Sequence, residues 1–322
     1  MDSLELVNTS ARNDRLLEKL RRDFGFQVLD ALSDAQTIEI MLNADGTLWQ
    51  ERLGEPMRPM GKMQPSRAEA VMRTIASYLG TTITRQNPIL EGELPLDGSR
   101  FAGQIPPVVH APTFAIRKKA SSVFSLEHYV QEQIMTQHQK EIIAEAVREH
   151  KNILVVGGTG SGKTTLANAI IHEMTLQNAD ERIFILEDTG EIQCAAKNFL
   201  QFHTTLEVSM TDLLKTTLRM RPDRILVGEV RGPEALNLLM AWNTGHEGGL
   251  ATLHANNARA GLDRLMMLIS MHPESPKPIE PLIGEAVHFI VHISKTPAGS
   301  RRVKEILEVT GYREGNYQTR NL

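Results

Sequence analysis

The chain has 322 residues, 41% hydrophobic and 23% charged, with 35 basic against 39 acidic side chains for a net charge of −4. That is the composition of a globular protein with room for two cores, since a single core stops growing at roughly 250–300 residues. One cysteine, Cys194, excludes an internal disulfide and any paired-cysteine zinc module, and the acidic balance argues against nucleic acid as the main partner.

In chain order, the first predicted element is a helix from Arg12 to Leu32. Leu16, Leu20, Phe24, Val28 and Leu32 recur every fourth residue and form one apolar stripe beside Arg12, Arg15, Lys19, Arg21 and Arg22. Two uses of that stripe are open: a core face, or an amphipathic contact with a membrane or a partner. Thr37–Leu42 and Thr47–Leu53 read as a hairpin around Asn43-Ala44-Asp45-Gly46, because Asp-Gly tolerates positive φ. A second helix is expected from Ser66, with Ser66 and Glu69 as a capping box and Gly80 as its stop. Residues 88–112 are rich in Gly and Pro with short strand-like pieces, and Thr113–Arg117 reads as a strand. An N-terminal α+β domain over residues 1–120, a linker over 121–135 and a C-terminal domain over 136–322 follow from this pattern. In the last of these, apolar strands at 152–156, 182–187, 224–228, 249–253 and 287–293 alternate with helical runs such as 163–177 and 233–242. That alternation is the signature of an α/β domain with a mostly parallel sheet.

Gly157, Gly158, Thr159, Gly160, Ser161, Gly162, Lys163 and Thr164 fit G-x-x-x-x-G-K-[ST], between an apolar strand and a helix-forming run. Glycines let successive backbone N–H groups curl around phosphate oxygens. The helix that starts at Lys163, Thr164 and Thr165 turns its positive end toward the anion. Lys163 is placed for the β- and γ-phosphates of ATP, and the Thr164 hydroxyl for Mg²⁺.

Hydrolysis also needs acids, and a doubly wound sheet presents its ligands at the carboxyl ends of its strands. Ile183–Glu187 runs into Asp188 and then Glu191. Arg224–Val227 runs into Gly228-Glu229 and then Arg231. Glu229 is the candidate that polarises the attacking water. Glu187 is the candidate for the Mg²⁺ shell, with Asp188 and Glu191 as rivals.

A further segment, Gly245-His246-Glu247-Gly248-Gly249-Leu250-Ala251-Thr252-Leu253-His254-Ala255-Asn256-Asn257, resembles the histidine box of the secretion ATPase superfamily. Ile185–Glu191 resembles its aspartate box, and Leu218–Ala235 its Walker B region, with Gly228 where many P-loop enzymes carry a metal-binding Asp. Phe114-Ala115-Ile116-Arg117-Lys118 and Phe124-Ser125-Leu126-Glu127 resemble the type IV secretion branch, nearest the TrbB-type conjugal-transfer ATPases. The resemblance implies a P-loop, RecA-like ATPase domain and a homohexameric ring that hydrolyses ATP with Mg²⁺. It implies a site between the domains, completed by Arg100 and Arg117, with His254 sensing or positioning the γ-phosphate region. It also implies membrane-embedded channel components as partners and a cytoplasmic location, peripheral on the inner membrane. No run reaches the roughly 18 apolar residues of a spanning helix, and MDSLELVNTS lacks the regions of a signal peptide, so a cytoplasmic chain is expected on composition too. No sequence-specific nucleic acid contact is expected. Two rival functions, a DNA-stimulated motor and a nucleotide-gated scaffold, share the phosphate loop.

Overall fold

The structure, a computed structural model, describes residues 3–119, 123–205, 207–296 and 299–322. The chain divides into two compact units, Met1–Ser121 and Ser122–Leu322.

The first unit runs α1 (Ser3–Ser33), β1 (Thr37–Leu42), β2 (Thr47–Arg52), β3 (Arg58–Lys62), α2 (Pro65–Tyr78), β4 (Ile89–Glu93), β5 (Arg100–Gln104) and β6 (Thr113–Arg117). Its strands form a six-stranded antiparallel sheet in the order β3-β2-β1-β6-β5-β4. Leu20, Phe24 and Val28 of the stripe are buried with Ile40, Leu48, Met72, Ile75, Phe101 and Phe114 in one core, so this part of the stripe faces the protein interior. The helix starts upstream of Arg12 and is interrupted at Gly25, where φ is 73°. Arg67 of α2 donates to the carbonyls of Arg22 and Asp23 at that break. Its guanidinium fills the space a Cβ at Gly25 would need. The predicted capping box at Ser66 does not form. Pro65 occupies the first helical turn, where its missing N–H costs nothing, Gln64 is the N-cap, and Glu69 pairs with Arg73 instead.

The second unit runs α3 (Leu126–Gln131), α4 (Gln137–Arg148), β7 (Ile153–Gly157), α5 (Lys163–Gln177), β8 (Arg182–Glu187), β9 (Asn198–His203), α6 (Met210–Thr217), β10 (Arg224–Val227), α7 (Glu234–Trp242), β11 (Leu250–His254), α8 (Ala258–Ser270), α9 (Glu280–Ala286), β12 (Phe289–Lys295), β13 (Arg301–Arg313) and β14 (Asn316–Asn321). The eight-stranded sheet has the order β14-β13-β12-β7-β11-β10-β8-β9. From β12 to β9 every neighbour is parallel, and β13 and β14 add an antiparallel ribbon at one edge. Two apolar layers cover the sheet. One joins Leu154, Phe184 and Leu253 to Leu214, Leu239, Trp242 and Leu265, and the other joins Val155, Ile185 and Val291 to Ile143, Leu166 and Ile170. The stretch expected as a linker contains α3. Leu126, Tyr129 and Met135 are buried in the second unit's core, so residues 126–135 are packed structure. The start of that stretch, 121–122, lies outside the described residues.

At the amino ends of the strands the sheet is pinned by buried polar groups. Arg224, only 1% exposed, pairs with the buried Glu181. It also donates to the carbonyls of Gly248 (3.0 Å) and Val147 (3.1 Å), tying β10 to the segment before β11 and to α4. Asn152 accepts from the Gly249 N–H at 2.9 Å and donates to the Ala286 carbonyl at 2.8 Å. Removing one partner of a buried ion pair strands the other charge. Arg224→Met is therefore expected to lower the unfolding free energy by about 3–5 kcal/mol, read from chemical denaturation.

Candidate functional site

Every strand that carries a predicted catalytic residue of the second unit ends on the same edge of the parallel sheet, so the fold gathers side chains far apart in sequence. β7 delivers the phosphate loop. Gly160 and Gly162 sit at φ 66° and 96°, backbone that favours glycine, and Gly162 caps α5. A Cβ at Gly157 would overlap the Ile293 carbonyl of the neighbouring strand. Lys163 is 7% exposed and donates to the carbonyls of Gly157 and Gly158, both at 3.1 Å. Its ammonium also lies 3.3 Å from Nδ1 of His254.

His254 ends β11 directly opposite Gly157. An ammonium can only donate, so Nδ1 accepts and the proton of the neutral ring sits on Nε2, 2.9 Å from Oε1 of Glu229. The other oxygen of Glu229 accepts from Arg231 at 2.6 Å, and Arg231 reaches Asp188 at 3.1 Å. Asp188 in turn accepts from the Thr204 hydroxyl at 3.0 Å. The result is a continuous chain of hydrogen bonds, Lys163–His254–Glu229–Arg231–Asp188, across the carboxyl ends of the strands. Backbone contacts aim Glu229. The Thr252 hydroxyl donates to the Gly228 carbonyl at 2.6 Å, and the Val230 N–H to the Thr252 carbonyl at 2.9 Å. Glu234 accepts from the Arg231 and Gly232 N–H groups and fixes the turn that carries Arg231.

Beside Asp188, the other two acids of the aspartate box stand differently. Glu187 is 2% exposed. It accepts from the N–H groups of Glu191 and Ile192 and from the Gln201 amide, and burial raises its pKa above the usual carboxylate value. Both its oxygens are thus engaged in holding the turn. Glu191 is the acid bonded to Thr164, whose hydroxyl donates to it at 3.4 Å. Thr164, Glu187, Asp188, Glu191, Glu229 and Arg231 line one solvent-open cleft. Among the described residues no three His, Cys, Asp or Glu side chains form a metal cage. A magnesium ion in a nucleotide site takes hard oxygen donors, one or two from the protein and the rest from phosphate and water. The Thr164 hydroxyl beside the Glu191 carboxylate fits that donor set.

Arg100 and Arg117 lie in the first unit. They stand directly opposite one another on β5 and β6. Like charges across a strand pair are destabilising. Carboxylates flank them in the same row: Glu93 faces Arg100, and Glu39 faces Arg117 at 3.5 Å. Arg231, Lys295 and Arg301 carry no assigned role in the sequence reading. Arg231 is marked only by its place two residues after Glu229, and nothing in the local pattern marks the other two.

Burial, followed by the positive charge of Lys163, lowers the His254 pKa, and Glu229 pulls it the other way. A group with a depressed folded pKa stabilises the fold above its unfolded pKa, and that contribution is lost as pH falls through the folded one. His254 is therefore expected to titrate below the ordinary histidine value in an NMR pH series. Lys163→Ala moves its midpoint up and Glu229→Gln moves it further down.

A family model described as type II/IV secretion system protein matches residues 33–301. The conjugal transfer protein TrbB of Rhizobium radiobacter is 48% identical over 95% of this chain and 94% of its own length. The type IV secretion system protein PtlH of Bordetella pertussis is 31% identical over 91% of this chain and 95% of its own. Among solved structures, the pilus retraction motor PilT with bound ADP aligns with a TM-score of 0.63 at 20% identity, over 87% of this chain and 81% of that one. The Legionella pneumophila ATPase DotB aligns at 0.61 and 19%, over 85% and 77%. The structural likenesses establish the α/β fold, and the family match over residues 33–301 together with the 48% identical relative makes the chain a member of the type II/IV secretion system protein family.

Proposed function

We propose that the chain hydrolyses ATP as one protomer of a homohexameric ring and powers a bacterial conjugative or type IV secretion channel. The observation that carries this reading is the chain from Lys163 through His254 to Glu229, which couples the phosphate loop to the acid placed for water. Lys163 and the N–H groups of the loop hold the β- and γ-phosphates. Glu229 takes the proton of the attacking water. His254, neutral and bridging, answers to the γ-phosphate, because a phosphate oxygen competes for the Lys163 ammonium. Thr164 and Glu191 would hold a Mg²⁺ ion, which would supply neutralisation of phosphate charge, and Glu187 keeps the aspartate-box turn in place. Arg100 and Arg117 supply positive charge to the transferring phosphoryl group.

Support for the work done comes from the conjugal-transfer and type IV secretion relatives. No helix among the described residues is long and apolar enough to cross a membrane. On this reading the ring docks from the cytoplasm on membrane-embedded channel components, peripheral to the inner membrane. Transfer assays in cells test it: Lys163→Ala abolishes transfer, and retained transfer overturns the proposal. Turnover per protomer should rise with protein concentration as the ring assembles. Arg100→Ala should lower turnover by roughly 10³-fold or more. Turnover independent of concentration but raised by DNA favours the nucleic-acid motor, and ATP binding without turnover favours the scaffold.

A further inference from the structure

The phosphate loop has two flanks. Its strand, β7, lies between β11 and β12. The β11 flank carries His254, with Glu229 one strand further on, and on the proposed function it receives the γ-phosphate. The β12 flank is formed by the β12–β13 hairpin, where Lys295 ends one strand, Arg301 begins the next, and the two are paired directly across the ladder.

Both cations press on the loop's positive-φ glycines. A Cβ at Gly160 would stand 3.3 Å from the Lys295 ammonium nitrogen. A Cβ at Gly162 would stand 2.9 Å from Cδ and 3.2 Å from Nε of Arg301. Two like charges facing one another across a strand pair are unfavourable. Arg100 and Arg117 have carboxylates in their row, whereas Lys295 and Arg301 have no ion-pair partner among the described residues. Nε of Arg301 is, moreover, buried without a hydrogen-bond acceptor. A buried N–H left unpaired is unfavourable and is relieved by an acceptor. Like-charge repulsion, a missing counter-charge and an orphaned donor meet on one flank of an anion-binding loop.

We infer that Lys295 and Arg301 are nucleotide-binding residues that hold the α- and β-phosphate end of the bound nucleotide. A triphosphate whose γ-phosphate lies against Lys163 and His254 extends its remaining phosphates toward the other flank, where these cations stand. The inference rests on the nucleotide reading above and adds a division of labour. The β11 flank distinguishes ATP from ADP, and the hairpin grips whatever the two share. The hairpin therefore sets how tightly the product is retained.

The test is equilibrium binding of N-methylanthraniloyl ADP and of the matching non-hydrolysable triphosphate analogue to the full-length chain. Lys295→Ala and Arg301→Ala are each expected to raise both dissociation constants about tenfold, the worth of one charge-assisted hydrogen bond. Arg301→Lys should restore part of the loss, while His254→Ala should weaken the triphosphate alone. Lys295 is exposed at the surface, so its variant keeps the fold even if Arg301→Ala does not, and thermal melting of each variant checks this. Wild type that binds both nucleotides, with Lys295→Ala within twofold of it and Arg301→Ala, if it melts like wild type, also within twofold, overturns the inference and leaves the nucleotide reading standing. Wild type that binds neither overturns the nucleotide reading itself.

Discussion

The ammonium of Lys163 is the charge on which the rest of the site depends. It is nearly buried, and a buried cation must be paired or solvated by dipoles. It is satisfied by two carbonyls of its own loop and by the imidazole of His254. That last bond fixes the tautomer of His254. The tautomer gives Glu229 a donor, and Glu229 orients Arg231, which binds Asp188. Lys163 and Glu229 flank the neutral imidazole, and Glu229, Arg231 and Asp188 alternate in charge beyond it.

The sheet makes this row possible at small local cost. Parallel strands end on one edge, so residues from the ends of β8, β10 and β11 converge without any loop having to carry them far. The opposite edge is held by Arg224 and Asn152. Both bind the Gly248-Gly249 segment that leads into β11, and so the strand that ends in His254 is anchored at its start as well as its tip. The histidine box is in this sense two structures: a glycine-rich entry clamped by buried polar groups, and a histidine on the reactive edge.

The periodicity of the sequence reveals the parallel strands because they are buried on both faces and read as unbroken apolar runs. Ile153-Leu154-Val155-Val156 is such a run, and its limits shift by only a residue. β9 and β14 lie at the sheet's edges, where one side of the ladder is open. Their sequences, Asn198–His203 and Asn316–Asn321, are mixed or polar and carry no such signal. The site divides along the same line. The phosphate loop, Glu229 and His254 are marked by motif and spacing. The motif does not separate Glu187 from Glu191, whereas the hydrogen bonds of Glu187 to the backbone and to Gln201 show that its carboxylate holds the turn. The α1 stripe shows both sides of the problem, since its apolar positions are legible while the break at Gly25 depends on Arg67, a partner more than forty residues away.

The order of strands in the second sheet also governs when the site comes into being during synthesis. β7 emerges from the ribosome early in the second unit, yet its two neighbours begin only at Leu250 and Phe289. Until those strands arrive, the phosphate loop hangs from a strand with both edges unpaired, and the hairpin that flanks its glycines does not exist. Such non-local pairing is slow to form and leaves apolar strand exposed in the meantime. A nascent chain cannot therefore close the sheet around the phosphate loop until β11 and then β12, more than a hundred residues after β7, have been made.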